Sequence, residues 1–67
     1  MSEKRSWYVL DTAGSKPYRA VGPHVNYSQA DRFGFWEFGT YSLVKISRRM
    51  AQSKYRVQST EQFKNAS

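Results

Sequence analysis

Few residue types in this sequence can support acid–base or metal chemistry. His24 is the only histidine, and the five carboxylates stand at positions 3, 11, 31, 37 and 61. We interpret His24 as a turn residue after Pro23, because no carboxylate stands at a spacing typical of a catalytic or metal-ligating partner. The chain has no cysteine, which excludes a disulfide framework and cysteine-ligated zinc, haem or iron–sulfur sites. The sequence therefore predicts no metal and no cofactor.

Two further sequence patterns are candidates for an enzyme active site, but neither is well supported. Asp31 and Glu37 are a possible acid–base pair for a sugar substrate, but a chain of 67 residues has little room for a substrate pocket. The sequence Gly14-Ser15-Lys16 has the wrong order for a phosphate-binding loop and lacks its preceding glycine. We interpret it as a hairpin loop. The prediction is a protein that is not an enzyme.

The basic residues carry the stronger signal. The formal net charge is +6 and the pI is about 10.0. Residues 39–67 hold six of the eleven Lys and Arg residues against a single acid, Glu61. An excess of positive charge favours anionic partners, namely nucleic acid, an acidic protein face or a lipid surface.

In a helix over residues 41–52, Lys45, Arg48 and Arg49 share one face, and Lys54 and Arg56 share the outward face of a following strand. Such clusters neutralise several phosphates at once. The alternative is a solvated face that only keeps the protein in solution. No Asp or Glu lies within residues 38–60, so no ion pairs dilute these cations, and we favour binding.

Aromatic residues are the second signal, at 16% of the chain. Residues 33–38 hold four of them, and as a strand they would direct Phe33 and Phe35 to one side and Trp36 to the other. One helix cannot cover both sides of a small sheet, so some rings are expected to be exposed, where they stack on bases or anchor a protein partner. We predict that Phe33 and Phe35 lie in the core, and we make no choice between core and surface for Trp36.

The local patterns predict strands over residues 6–11, 18–21 and 33–38. A further strand is predicted from the alternation within residues 54–60. Residues 24–31 are ambiguous: they continue the second strand, form a loop, or open a helix that is capped by Asn26 or Ser28.

Residues 41–52 have the clearest helical period. Their apolar residues fall within an arc of about 160° at 100° per residue, opposite the cations. A strand is the rival interpretation, but its alternation would put Leu43 beside Lys45 and mix the faces. The predicted fold class is α+β with the order β-β-β-α-β, an antiparallel sheet of three to four strands with one amphipathic helix. We expect one domain over residues 1–67, with frayed ends at about 1–5 and 61–67.

The sequence Trp36-Glu37-Phe38-Gly39-Thr40-Tyr41 resembles the junction between the third strand and the helix in AP2-type DNA-binding domains, and that of the arm-binding domains of some integrases. The resemblance implies three antiparallel strands backed by a helix, with the open sheet face in the DNA major groove. It makes Tyr18, Arg19, Arg32 and Trp36 the DNA-facing candidates. The chain departs from the pattern in its basic helix, which is rich in Val and Ile, and in its long connection over residues 24–31.

The leading functional prediction is a small basic protein that is not an enzyme and binds nucleic acid mainly through phosphates. The alternative is a small inhibitor, similar to phage or mobile-element accessory proteins that block CRISPR nucleases, which binds an acidic surface of a nucleic-acid-processing protein. No window predicts a membrane span or a signal peptide, so a cytoplasmic location is the default expectation. A helix lying on an anionic membrane fits residues 41–52 less well, because its apolar face lacks Trp and Phe.

Overall fold

A computed structural model describes residues 4–65. Four strands form one sheet, and three helices pack around it. The elements in chain order are β1 (Arg5–Asp11), β2 (Arg19–His24), α1 (Tyr27–Glu37), β3 (Ser42–Ser47), α2 (Arg48–Lys54), β4 (Arg56–Gln58) and α3 (Thr60–Asn65). The predicted α+β class is confirmed, although the order of elements differs and three helices stand where one was predicted.

The sheet is mixed rather than antiparallel throughout. Its strand order is β3-β1-β2-β4. Strand β1 pairs antiparallel with both β2 and β3, whereas β4 pairs parallel with β2. Helix α2 connects β3 at one edge to β4 at the other, and a parallel pair needs such a crossover connection. The prediction of a wholly antiparallel sheet was therefore wrong for its last strand.

Both faces of the sheet are covered by helices. On one face, Tyr8 and Leu10 of β1 form a buried cluster with Ala20 of β2 and Ala51 of α2. On the other face, Val9 lies opposite Val21 and is fully buried. Helix α1 packs against this second face. Strand β1 is thus a central strand with apolar residues on both sides, which explains its nearly continuous apolar run.

Residues 33–38 belong mostly to a helix, so the predicted third strand there was wrong. Helix α1 begins at its N-cap Asn26, whose Oδ1 accepts a hydrogen bond of 2.9 Å from the Gln29 amide. The cap at Asn26 was one of the three alternatives for residues 24–31. Ala30 and Gly34 are the buried residues of α1, one turn apart on the side that faces the sheet. Gly39, with a φ of 74°, follows the end of the helix.

Residues 41–52 do not form one helix. They contain strand β3 and then most of α2. Helix α2 is N-capped by Ser47, whose Oγ accepts a hydrogen bond of 3.1 Å from the Met50 amide. Most of the apolar residues of the predicted helix are also not fully buried. Leu43 and Ile46 are half-buried, and Met50 is 43% exposed.

The segment predicted as a frayed tail forms helix α3 over its described part. Ser59 and Gln62 cap the helix reciprocally, each accepting a hydrogen bond of 3.0 Å from the other's amide. The ring of Phe63 packs on Phe33 and Phe38, with centroids 5.3 Å apart in both pairs. The strand predicted within residues 54–60 is confirmed at β4. Residues 1–3 and 66–67 of the predicted frayed ends lie outside the described residues.

Candidate functional site

The predicted basic residues do not share one helix face. Lys45 is exposed on β3 and pairs with Trp7, so both side chains point to the face that α1 covers. Arg48 and Lys54 belong to α2, on the opposite face of the sheet. Arg49, also on α2, is exposed. The cations remain at the surface, as predicted, but they divide between the two sides of the molecule.

Arg19 is half-buried and makes contacts within the protein. Its Nη2 donates a hydrogen bond of 3.1 Å to Asp11 Oδ2, and these two residues are direct partners on β1 and β2. The guanidinium carbon lies 5.5 Å from the ring centroid of Phe38 and 5.2 Å from that of Phe63. The ion pair and the two cation–π contacts give Arg19 a structural role in holding α3 against the sheet.

Helix α1 presents aromatic residues to solvent. Trp36 is 74% exposed and Phe35 is 64% exposed, and their rings meet edge-to-face with centroids 5.6 Å apart. The prediction that Phe35 lies in the core was therefore wrong, whereas Phe33 is half-buried against His24. Arg32 is exposed and lines a groove with Trp36 between α1 and α3.

On the other side of the molecule, a groove of about 600 Å³ combines aromatic rings with cations. The rings of Tyr18 and Tyr55 pack against the core and form part of its lining. Lys16 and Lys54 are exposed and line the same groove. The Lys16 Nζ lies 5.8 Å from the ring centroid of Tyr18. We call this the tyrosine groove; Leu10 and Pro17 complete its lining.

Two more open grooves adjoin the tyrosine groove. One, of about 340 Å³, lies beside Arg48 of α2 and shares Tyr55 with the tyrosine groove. The next, of about 500 Å³, lies beside Arg56 of β4 and Arg19 of β2, and it shares Val57 and Gln62 with its neighbour. Within residues 4–65, no Asp or Glu lines any of the three. We refer to the three together as the basic grooves.

Hydrogen bonds fix the two chain segments that form the tyrosine groove. The Arg56 amide donates to the Tyr18 carbonyl at 2.9 Å, and the Arg56 Nε donates to the Pro17 carbonyl at 3.0 Å. These bonds tie the entrance of β2 to the entrance of β4. The sequence interpretation missed Lys16 and Tyr55. The available signal was a lysine close to a tyrosine at each of these strand entrances.

The positive charge of Arg48 also acts on the core. Burial raises the pKa of the Tyr8 hydroxyl, and the nearby Arg48 guanidinium opposes that rise.

His24 is the last residue of β2 and is 8% exposed, so its interpretation as a turn residue after Pro23 was wrong. Burial lowers the pKa of its imidazole, and a hydrogen bond with the Val21 backbone opposes that shift. Its Nε2 is buried without a hydrogen-bond partner.

Asp31 Oδ1 accepts a hydrogen bond of 2.6 Å from the Tyr41 hydroxyl, which raises the pKa of Tyr41. No group of three or more His, Asp or Glu side chains comes together among residues 4–65.

No family model matches the chain, and no curated protein or solved structure matches it either. The resemblance to AP2-type and integrase arm-binding domains thus stays a prediction. The six residues that carry it, 36–41, form the end of α1 and the loop before β3. Among residues 4–65, no helix has the length and apolar character that crossing a membrane requires.

Proposed function

We propose that this protein is a small module that binds nucleic acid through phosphate contacts in the basic grooves. Five cations line the three adjoining grooves, whose described lining holds no carboxylate, and the observation that carries the proposal is the set of four that remain when Arg19, which is paired with Asp11, is set aside. Positive charge that no neighbouring acid neutralises attracts a polyanion and releases its counterions on binding. The four cations are Lys16, Arg48, Lys54 and Arg56.

The two kinds of cation supply different contacts. Arg56 uses its Nε to hold the Pro17 carbonyl, so its terminal amino groups remain available for phosphate oxygens. Arg48 lines the middle groove and offers the same planar, bidentate geometry. Lys16 and Lys54 act as point charges on flexible stems. Lys45, which lines none of the three grooves, and Arg19, which lines the groove beside Arg56 but is paired with Asp11, have no part in this proposal.

A salt titration with matched variants tests the proposal. Affinity for single-stranded and duplex nucleic acid should fall with salt, with a log–log slope of about −0.9 per phosphate neutralised on a duplex. Combining Arg48→Gln with Lys54→Gln should weaken binding similarly across unrelated sequences and reduce the slope by roughly one to two units. Combining Arg5→Gln with Lys45→Gln is the control, because it removes the same charge from the other side of the sheet.

Two results would overturn the proposal. One is that the control pair weakens binding as much as the groove pair. The other is that no nucleic acid binds more tightly than about 100 μM at low salt, since non-specific binding commonly reaches about 10⁻⁴–10⁻⁶ M even at physiological salt.

The exposed rings of Phe35 and Trp36 favour a second candidate function, an inhibitor that binds a nucleic-acid-processing protein. Exposed aromatic side chains are frequent anchors of protein interfaces. This candidate expects weak affinity for free nucleic acid near physiological salt and one stoichiometric protein partner. Binding of that partner should be lost in Trp36→Ala and retained in the Arg48→Gln and Lys54→Gln pair.

A further inference from the structure

We propose that the tyrosine groove takes unpaired nucleobases, so that the preferred ligand is single-stranded nucleic acid. The inference rests on the proposed function and names the substrate class of the same site. Its starting point is the combination of two half-buried tyrosine rings with two exposed lysines in one groove of about 600 Å³. This volume lies within the range of about 300–1,000 Å³ that is usual for small-ligand sites.

The chemistry of the lining matches a nucleotide in both of its parts. The rings of Tyr18 and Tyr55, with Leu10 and Pro17, offer apolar and aromatic surface to a base. Lys16 and Lys54 offer charge to the phosphates that flank the base. Sites that bind single strands combine aromatic platforms with a positively charged groove in this way. A site for phosphate alone would not use the tyrosines, and an apolar ligand would not use the lysines.

The exposure of the rings selects single strands over duplexes. In a duplex each base is stacked between its neighbours, so its face is not available to a protein side chain. An unpaired base can leave its neighbours and stack on an aromatic ring. Stacking of this kind is tolerant of sequence, because every base has a π-face. The groove therefore predicts a preference for single strands over duplexes, without a strong preference for sequence.

The two tyrosines have different roles in the free protein. The Lys16 Nζ lies 5.8 Å from the Tyr18 ring centroid, near the outer limit of about 6 Å for a cation–π contact. Among the described ring contacts, none involves Tyr55. We therefore assign the first stacking platform to Tyr55. A base on Tyr18 needs Lys16 to move from the ring toward a phosphate.

Equilibrium binding to matched polymers tests the inference. The probes are labelled oligothymidylate, labelled oligouridylate, a duplex of equal charge, and an abasic oligonucleotide with the same number of phosphates. Both single strands should bind about 5- to 100-fold more tightly than the abasic strand at the same salt. Tyr55→Leu should remove most of that difference and leave affinity for the abasic strand unchanged. Tyr55→Phe retains the ring and should bind as the wild type does.

A matched control and a second measurement keep the test independent of folding. Tyr27→Leu changes a tyrosine that is 56% exposed on α1, away from the tyrosine groove, and should leave all four affinities unchanged. In the wild-type protein, oligothymidylate should shift the NMR signals of the Tyr55 ring upfield through the ring current of a stacked base. The abasic strand should not. This measurement decides the question if Tyr55→Leu does not fold.

The outcomes separate this inference from the proposed function. If duplex, abasic and single strands bind equally and the Tyr55 signals do not move, the tyrosine groove holds no base. The loss of affinity in the Arg48→Gln and Lys54→Gln pair would then still support phosphate binding. If none of the polymers binds at low salt, both proposals fail together.

Discussion

The ring of Tyr41 packs directly on the backbone of Gly34, so that a Cβ atom at Gly34 would collide with ring carbons Cγ, Cδ2 and Cε2. The hydroxyl of the same tyrosine donates a hydrogen bond of 2.6 Å to Asp31, one turn earlier on α1. The helix is thereby fixed against the start of β3 by one close contact and one hydrogen bond. The geometry requires glycine at position 34, because the colliding atoms lie near the root of the ring, where the side chain has little freedom to move.

The first prediction concerns this contact. In an isolated helix, Gly→Ala would gain about 1 kcal/mol, but overpacking at a close contact usually costs about 1–3 kcal/mol. We expect Gly34→Ala to lower the free energy of unfolding, measured by urea denaturation. Ser28→Ala, at an exposed position of α1, is the control and should change stability little. In a Tyr41→Ala background the penalty at Gly34 should disappear. An equal penalty in both backgrounds would show that the contact is not its cause.

The Gly34–Tyr41 contact also explains why the sequence misidentified residues 33–38. Gly34 and the neighbouring aromatics argue against a helix on intrinsic propensity. The reason for the glycine is the packing of the Tyr41 ring, a tertiary contact that helix propensity does not include. By contrast, β1 was predicted correctly and β2 in part, because both carry local β-propensity. Strand β2 begins one residue later than predicted and continues to His24. The Asn26 cap and the Ser59–Gln62 capping box are local signals too, and only the second was overlooked.

Residues 41–52 were misassigned for a different reason. The sequence argued against a strand here because strand alternation would put the apolar Leu43 and the charged Lys45 on the same face. In the structure, both side chains do lie on one face of β3, where Leu43 pairs with Val9 of β1 and Lys45 pairs with Trp7. Since helices cover both faces of the sheet, an edge strand needs apolar residues on each side, and β3 still carries the exposed Lys45 within it. The sequence identified most of the individual cations, but their grouping into grooves depends on the crossover of α2, which no local pattern predicts.

The second prediction separates structural from binding arginines. Arg19 has an ion pair with Asp11 and lies over the rings of Phe38 and Phe63. We expect Arg19→Gln to lower the free energy of unfolding by about 1–2 kcal/mol and to leave the salt slope of nucleic-acid binding unchanged. Arg48→Gln should have the opposite effects, with a reduced slope and little change in stability. A reduced slope in Arg19→Gln at full stability would instead make Arg19 a phosphate ligand.

The third prediction concerns pH. Burial holds the pKa of His24 below its ordinary value of 6.5, so between its folded pKa and 6.5 the unfolded chain binds more protons than the folded chain. Stability therefore rises with pH through this window and is lost as the pH falls below 6.5. Arg32, Glu37 and Lys64 are the charged residues that line the groove that His24 also lines.

Thermal unfolding at a series of pH values around and below 6.5 measures this effect. The melting temperature of the wild type should fall as the pH drops below 6.5. His24→Leu removes both the titration and the buried, unpartnered Nε2, so its melting temperature should change less over the same range. Parallel curves for the two proteins would assign the pH dependence to other groups.

The last prediction concerns the exposed rings of Phe35 and Trp36. Both side chains are mostly in solvent, so replacing them removes little buried surface. We expect Phe35→Ser combined with Trp36→Ser to change the free energy of unfolding by no more than about 0.5 kcal/mol and to leave affinity for single strands unchanged. Phe33→Ala is the matched comparison, because its ring contacts His24, Phe38 and Phe63. It should cost about 2 kcal/mol or more, measured by the same urea denaturation. If the double serine variant destabilises the fold as much as Phe33→Ala does, the two rings belong to the core. If it keeps its stability but loses nucleic acid, the binding surface lies on α1 instead of the basic grooves.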